Sequence, residues 1–558
     1  MMAGLHPPAL VARYRESGAW GDTTIDELFR RQVAAQPDRI AVVDPPNKAE
    51  LTGGKPQRWT WRQLDAAVDR LAAALVGRGI GKGDVVAAQL PNSVDLVQTV
   101  LATVRIGAVL TPFPVQYRER ELVHMCQATQ ANVFITCEMV RDRKLAEVAS
   151  SISAQVPSLR RVLVLRGDGP AGPSAPARAH LRNYLADLTV DPNDSVSICW
   201  TSGTEAPPKG VPRCHYDWLA IARVCHDAAE LTSADVMLNP FPMVNMAGFG
   251  GLMLPWLMSG CVLVQHQPFE ADVYLRQIQD ERATYTIVAP ALLARMMNEE
   301  QLRESFDLTS LRLIGSGAAP LAGDVVAAWE TATKVEVINF FGSNEGTCLV
   351  STPKQIPDAH DRSRYFPRNG VARGVIAEAM ELRLVDTDTG EVITESGRRG
   401  ELRLKGPTLF AGYQVGTSAT FFDAEGFFRT GDLFEIAGEN SDFLRYVDRV
   451  KDIIIRGGIN IAPAEIENML AAHPSVADVA VVGVPDEVMG ERTCAVVVPT
   501  AGTTPTLDDL VEFLRRKKIS SYKLPERLAI VESLPRTPAG KMLKWAVRAQ
   551  IQPEPVRA

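Results

Sequence analysis

Cysteines at metal-binding spacing are missing from this chain of 558 residues. Its eight cysteines, at 126, 137, 199, 214, 225, 261, 348 and 494, include no C-x-x-C, and only eight histidines stand by as further ligands. No structural zinc is expected, and the pattern fits a reducing compartment, the cytoplasm. An excess of positive charge is missing too: 59 Lys and Arg stand against 66 Asp and Glu, for a formal charge of −7 and a pI near 5.8. Without a basic field to hold a phosphate backbone, nucleic acid is excluded as the main partner. Met1 to Glu16 mixes His, Pro and Arg and has no continuous apolar core, so no signal peptide is expected. Met246 to Val264 has the length of a membrane span, but Gly248, Gly250, Gly251, Pro255 and Gly260 interrupt it and no basic flank follows. It reads as a buried helix leading into a buried strand at Cys261 to Val264. Internal repeats are absent as well.

What is present is a globular composition, 46% hydrophobic and 22% charged, at a length that exceeds one ordinary core. Within it, Val196, Ile198 and Trp200 read as the end of a buried strand, followed by Thr201-Ser202-Gly203-Thr204-Glu205-Ala206-Pro207-Pro208-Lys209-Gly210. Hydroxyls, a glycine and small residues make a tight turn whose backbone N–H groups can point outward together, a nest suited to an anion. Lys209 can reach a phosphate as a mobile point charge. A P-loop requires Ser or Thr directly after its Gly-Lys, and here Lys209 is followed by Gly210, so this is a phosphate loop of another kind. Such turns also merely reverse a chain, and the loop alone does not decide.

Helical and strand periods alternate along the first part of the chain. Thr24 opens a helix with apolar residues at 25, 28, 29 and 33, residues 42–57 read as a polar loop, and a second helix from Thr60 puts Leu64, Val68, Leu71 and Leu75 on one face before Gly77. Strands are expected at 85–89, 108–112, 132–136 and 161–165, with a helix at 94–106, so a mostly parallel, doubly wound sheet is predicted. Gly167 to Arg178 reads as a surface insertion. Later units are a helix from His215, a helix at 270–283, strand 285–288, helix 291–300 and strand 311–314. Near residue 375 the character changes: Met380 to Val385 and Glu401 to Leu404 look like short antiparallel strands, and from about 449 a small α+β region runs on.

Four further segments follow the phosphate loop in order: Phe341-Gly342-Ser343-Asn344-Glu345, Arg429-Thr430-Gly431-Asp432, Asp448-Arg449-Val450-Lys451-Asp452 and Pro538-Ala539-Gly540-Lys541. With the loop, they resemble the adenylate-forming superfamily of acyl-CoA synthetases, aryl-acid adenylating enzymes and luciferases. The resemblance runs over nearly the whole chain. It implies a large N-terminal adenylation core, residues 1–447, a hinge at 448–452 and a mobile C-terminal domain at 453–558. It implies ATP and AMP contacts from Thr201, Ser202, Gly203, Thr204, Lys209, Gly317, Ala318, Ala319, Phe341, Gly342, Asn344, Asp432 and Arg449, the last two at the ribose. Lys451 falls at the hinge, and Arg456 to Pro463 would be a mobile loop whose Gly457 and Gly458 form part of the pantetheine tunnel. Lys541 would bridge the acid and the α-phosphate, where a positioned ammonium stabilises two anions that must meet. A carboxylate beside a phosphate loop asks for a cation, so Glu345 is the expected Mg²⁺ partner.

Two positions depart from the superfamily pattern: Glu205-Ala206 stand where Thr-Gly is usual, and Asn344 replaces a threonine. Tyr14 to Trp20, Gln89 to Ser93 and Glu119 to Leu122 look like the aryl-acid branch, which reads a 2-hydroxybenzoate with an asparagine that follows a histidine; here those two positions hold Asn245 and Met246, so the hydroxyl reader is missing at Met246. Met243, Asn245, Met246, Ala247 and Gly315 are expected to form a roomy apolar acyl pocket, with an ordinary methionine-filled core as the alternative. The resemblance therefore implies an AMP-forming carboxylic acid–CoA ligase, with Lys541, Glu345 and Lys209 as catalytic residues and ATP, Mg²⁺ and coenzyme A as cofactors. A carrier-protein phosphopantetheine is the alternative acceptor, and a non-catalytic nucleotide or acyl-AMP sensor the alternative of another class. Monomer and homodimer both remain open.

Overall fold

Two threonines start the first long helices. Thr24 accepts the amide of Glu27 while the Glu27 carboxylate takes the Thr24 amide, a reciprocal cap that opens Ile25–Ala35. Thr60 and Gln63 do the same for Trp61–Val76, which buries Leu64, Val68, Leu71 and Leu75 as its 3.6-residue period predicts. A third helix, Val94–Arg105, is buried at every residue but Asp95. Its last residue locks the three together: Arg105 meets Asp26 at 3.0 Å on the first helix and Asp65 and Asp69 at 2.7 and 2.6 Å on the second. Burial works against the guanidinium's charge, but three carboxylates outweigh it and hold its pKa above the ordinary value.

This computed structural model describes residues 4–167, 169, 172–201, 208–371, 374–414, 421–456, 459–486, 488–517, 519–537 and 542–551. One sheet has six strands in the order 161–165, 133–137, 85–89, 109–112, 195–200, 210–214, with Val94–Arg105 packed on it. All but the last pair run parallel. Strands Val85–Gln89, Val109–Pro112 and Val133–Cys137 are buried at every residue, as a sheet covered on both faces requires. Gly210–Cys214 returns antiparallel beside Ser195–Trp200, pairing Trp200 with Gly210. The strands on either side of the expected phosphate loop thus pair antiparallel at the sheet's edge.

A second sheet of eight strands runs 348–351, 336–342, 313–316, 285–288, 236–239, 262–265, 40–43, 58–60 and is parallel except at its two edges. Here the expectation of a polar loop over 42–57 is corrected. Ile40–Val43 is a strand and Lys48–Thr52 a short helix. The strand is four apolar residues long, too short to display a period, and Lys48 is buried because its ammonium meets Asp44 and Asp95, each at 2.7 Å. Met246–Met253 winds as a wide π-helical turn that passes into the helix Leu254–Ser259 and the strand Val262–Gln265. Among the described residues, no helix is long and apolar enough to cross a membrane.

The antiparallel region expected after residue 375 is a six-stranded sheet ordered 365–367, 443–449, 428–437, 399–405, 381–385, 392–393. The C-terminal region has its own sheet, 459–461, 454–456, 490–499, 476–486, with 527–530 parallel to 490–499, and its own core around Ile454, Ile466, Val481 and Leu510. Arg456 to Pro463, expected as a loop, instead includes the end of strand Ile454–Arg456 and all of strand Ile459–Ile461, which pair with Arg456 opposite Ile459. The ends Ile454 and Ile461 are fully buried, which fixes those strands to the core.

Candidate active site

A cavity of about 740 Å³ opens where the second sheet, the antiparallel sheet and the C-terminal region meet. Ligand sites of open α/β sheets form beyond the carboxyl ends of the strands, and this one does. Thr201, Asn245, Met246, Ala247, Ala318, Ala319, Phe341, Gly342, Asn344, Glu345, Asp432 and Arg449 all line it. From the C-terminal region come Thr537 and Met542, the described neighbours of Lys541. Lys541 itself, with Ser202, Gly203, Thr204, Glu205, Ala206, Gly457 and Gly458, lies outside the described residues.

One side of the cavity is charged and aromatic. Asp432 is 4% exposed and sits 3.2 Å from Arg449 Nε, the two residues facing each other across adjacent strands. Burial opposes the charge on Arg449, and Asp432 outweighs it, so the guanidinium's pKa is raised. Phe341 packs against Phe434 at 5.2 Å, nearly perpendicular, and against Tyr446 at 5.3 Å. Opposite, Ala318 holds a φ of +72°, a conformation that L side chains rarely adopt. Its neighbour Gly317 has no room for a side chain, since a Cβ would come within 2.6 Å of the Phe340 carbonyl.

Near Thr201, the base of the loop between residues 201 and 209 is closed by two bonds, Thr201 N–H to the Lys209 carbonyl at 3.0 Å and Lys209 N–H to Thr201 Oγ1 at 3.2 Å. The Lys209 ammonium rests over the rings of Phe421 (4.1 Å) and Tyr413 (5.2 Å). Tyr413 donates its phenol to Glu345 Oε1 at 2.7 Å. Behind them lies Arg213, fully buried, which donates to the carbonyls of Asn344 and Thr408 at 3.1 and 2.7 Å and faces Asp217 at 3.4 Å. Gly346 turns sharply here because a side chain would strike the Thr408 carbonyl and Arg213. Among the described residues, His6, Cys214 and Asp217 make the one cluster with metal-ligand spacing, but Arg213 already supplies the positive charge beside Asp217.

Another side of the cavity is apolar, with Phe241, Val244, Met246 and Ala247 on its surface. Asn245 caps the π-helical turn by accepting the Gly248 amide at 3.3 Å. Two expected wall residues stand elsewhere: Met243 is fully buried and its sulfur takes a bond from Gln265, while Gly315 faces Phe340, Ile287 and Tyr285 inside the sheet. Neither lines the cavity, and nor does Gly317.

The family model described as AMP-binding enzyme matches residues 29–414, and that of the AMP-binding enzyme C-terminal domain matches residues 465–541. The chain belongs to the AMP-binding enzyme family. It is 31% identical over 552 residues to a medium-chain fatty-acid–CoA ligase of Escherichia coli (strain K12), covering 97% of this chain and 92% of that one. It is 30% identical over 552 residues to a salicyl-AMP ligase / salicyl-S-ArCP synthetase of Mycobacterium tuberculosis (strain ATCC 25618 / H37Rv), covering 98% and 94%. The crystal structure of ATP-bound MatB from Rhodopseudomonas palustris superposes with a TM-score of 0.78 at 26% identity, over 95% of this chain and 99% of that one. The chain is therefore an ATP-dependent, AMP-forming ligase.

Sequence reasoning about this AMP-binding enzyme missed Arg213, Tyr413 and a third group. Lys544, three residues beyond Lys541, is partly buried, its ammonium 3.1 Å from Glu467 Oε1. Burial opposes its charge, but Glu467, Asp448 and Asp452 raise its pKa and keep it an ammonium. Asp448 accepts the Arg449 amide at 2.7 Å and the Ala464 amide at 2.9 Å, so it links the last strand of the antiparallel sheet to the C-terminal helix Pro463–Leu470. Lys451 lies just beyond it, exposed on the short turn Val450–Asp452. A Lys three residues after Gly-Lys was the one available signal, and it carries no meaning without the fold.

Proposed function

We propose that this ligase activates a bulky apolar carboxylic acid, aromatic, alicyclic or medium-chain, and passes the acyl group to the thiol of coenzyme A. The observation that supports it is the acid side of the cavity: apolar surface from Phe241, Val244, Met246 and Ala247 lies beside Thr201 and Asn344, with Met246 where a hydroxybenzoate reader would carry asparagine. Relatives named for medium-chain fatty acids and for salicylate bracket the size of acid.

In the first step the acid's carboxylate oxygen attacks the α-phosphorus of ATP, and pyrophosphate leaves. In the second the thiol sulfur attacks the acyl carbon, and AMP leaves with the oxygen. Asp432 takes the ribose hydroxyls, beside Arg449, and Phe341 and Ala318 border the base. Lys209 leaves its aromatic seat to meet phosphate oxygens, and Lys541 holds the two anions together during the first step. Glu345, lining the cavity with one oxygen held by Tyr413, fits a hard divalent cation such as Mg²⁺, which would offset phosphate charge there. Residues 1–447 act as the adenylation core, and 453–558 turn about the 448–452 hinge at Lys451, withdrawing Lys541 and bringing Gly457 and Gly458 to the acyl-adenylate.

Pyrophosphate release measured with a panel of aromatic, alicyclic and fatty acids, each with and without coenzyme A, tests this. Turnover that requires coenzyme A, with the acyl-CoA seen by mass, is the expected result. A burst of acyl-AMP that coenzyme A does not relieve would move the acceptor to a carrier-protein phosphopantetheine, and no release with any acid would favour a non-catalytic sensor.

A further inference from the structure

Asn344 bonds through its side chain to two segments far away in sequence. Its Oδ1 accepts the N–H of Met246 at 2.9 Å, and its Nδ2 donates to the carbonyl of Trp200 at 2.9 Å. One partner is a donor and the other an acceptor, so the orientation of the amide is determined by its surroundings. Met246 opens the π-helical turn and lines the acid side of the cavity. Trp200 ends the strand that carries the phosphate loop, next to Thr201 and its two bonds to Lys209. The main chain of Asn344 is pinned as well, because the buried Arg213 holds its carbonyl at 3.1 Å. The planar amide therefore sets the spacing between the acid wall and the base of the loop. A threonine offers a single oxygen on Cβ and cannot span both groups.

We propose that Asn344 is a positioning residue that couples the acid subsite to the phosphate loop: nucleotide bound at the loop orders the acid wall, and an acid on that wall tightens nucleotide binding to the same extent. Coupling of this kind is reciprocal by linkage. It rests on the reading of this cavity as the site of both ATP and acid. A loop drawn onto phosphates carries the Trp200 carbonyl with it, the amide transmits the shift to the Met246 N–H, and the π-helical turn, rich in glycine, is the element that responds.

Hydrogen exchange of the full chain with and without Mg-ATP, followed in peptides from 195–214 and 241–259, is the test. In the wild-type protein Mg-ATP slows exchange in both segments. In Asn344→Ala it slows only the first, and protection of the second falls by about fivefold or more. Asn344→Asp keeps the shape and the acceptor but loses the donor to Trp200, so it gives the same loss with the fold intact if the alanine variant is unstable. A merely structural asparagine would speed exchange of both segments without nucleotide and leave the ATP-induced change in place. That outcome, or protection confined to the first segment in the wild type, overturns the coupling. Wild-type protein protected in neither segment would overturn the reading of the cavity as an ATP site, and the coupling with it.

Discussion

The two walls of the cavity are built in opposite ways. The wall we assign to the nucleotide is made of charge and rings, with Asp432 paired to Arg449 and Phe341 set among Phe434 and Tyr446. The acid wall presents apolar side chains and is held from behind by bonds to its main chain, Asn344 to Met246 and Asn92 to Met243 N–H at 3.0 Å. A wall that receives one constant molecule can be written in residues with fixed partners. A wall that receives an acid of family-dependent shape is written in a scaffold whose side chains are free to differ. The test of this contrast is whether damage to one wall stays on that wall.

The largest effect is expected at Asp432. Asp432→Ala leaves Arg449 partly buried without its carboxylate, and stranding one partner of such a pair costs about 3 kcal/mol, or roughly a hundredfold. We expect that loss in kcat/KM for ATP in pyrophosphate release, with the order of acid preference unchanged. A reordered acid panel would mean that the walls do not act separately.

A drop in pH should weaken the frames behind both walls together. His215, whose Nδ1 accepts the Ile25 amide at 3.1 Å, stands behind the loop strand; His266, whose Nε2 accepts the Glu270 amide at 3.1 Å, follows the strand beneath the acid side. Burial lowers each pKa from 6.5 to about 4. Between those values the unfolded chain binds protons that the folded chain refuses, so this stability is whole above pH 6.5 and declines as pH falls toward 4. By pH 5 the loss is about 2 kcal/mol per histidine. Urea midpoints at pH 7 and pH 5 read it, and His266→Gln should remove roughly half of the slope.

On the acid wall, Met246→Ala enlarges the pocket by a flexible side chain. A change of that size shifts preference among acids by about tenfold toward bulkier ones. The KM for ATP should stay within twofold or so if Met246 matters to the loop only through its N–H, which alanine retains.

Much of the frame was legible because it is local or periodic. Thr24 and Thr60 announce their capped helices three residues ahead of the bonds that make them, and the apolar strands of the first sheet carry their own signal. The cavity motifs were legible as residues but not as contacts. Met243 and Met246 look alike in the sequence, yet one fills the core and the other lines the cavity, a choice made by the turn between them. Ile40–Val43 and Gly210–Cys214 are too short to show a period and form only against partners elsewhere in the chain. Tyr413 and Glu345 lie 68 residues apart, Arg213 and Asn344 131 apart, and Asn344 and Trp200 144 apart. Single hydrogen bonds over such separations leave no pattern behind.

Tyr413 gives an effect no larger than that of Met246 and the finest test, because it touches both Glu345 and Lys209. Its phenol donates to Glu345 while its ring lies under Lys209. Burial and the nearby Glu345 both raise the phenol's pKa, so it stays a donor throughout the working range. Tyr413→Phe keeps the ring and removes only the donor. A hydrogen bond to a carboxylate is worth about 1.5 kcal/mol, so the Mg²⁺ concentration for half-maximal rate should rise roughly tenfold. The KM for the acid should hold. Tyr413→Leu also removes a face from the Lys209 seat, and should add a change in KM for ATP that the phenylalanine variant lacks. If Tyr413→Phe instead alters which acids are used, the phosphate end reaches the acid wall by a route other than Asn344, and the separation of the two walls fails at that point.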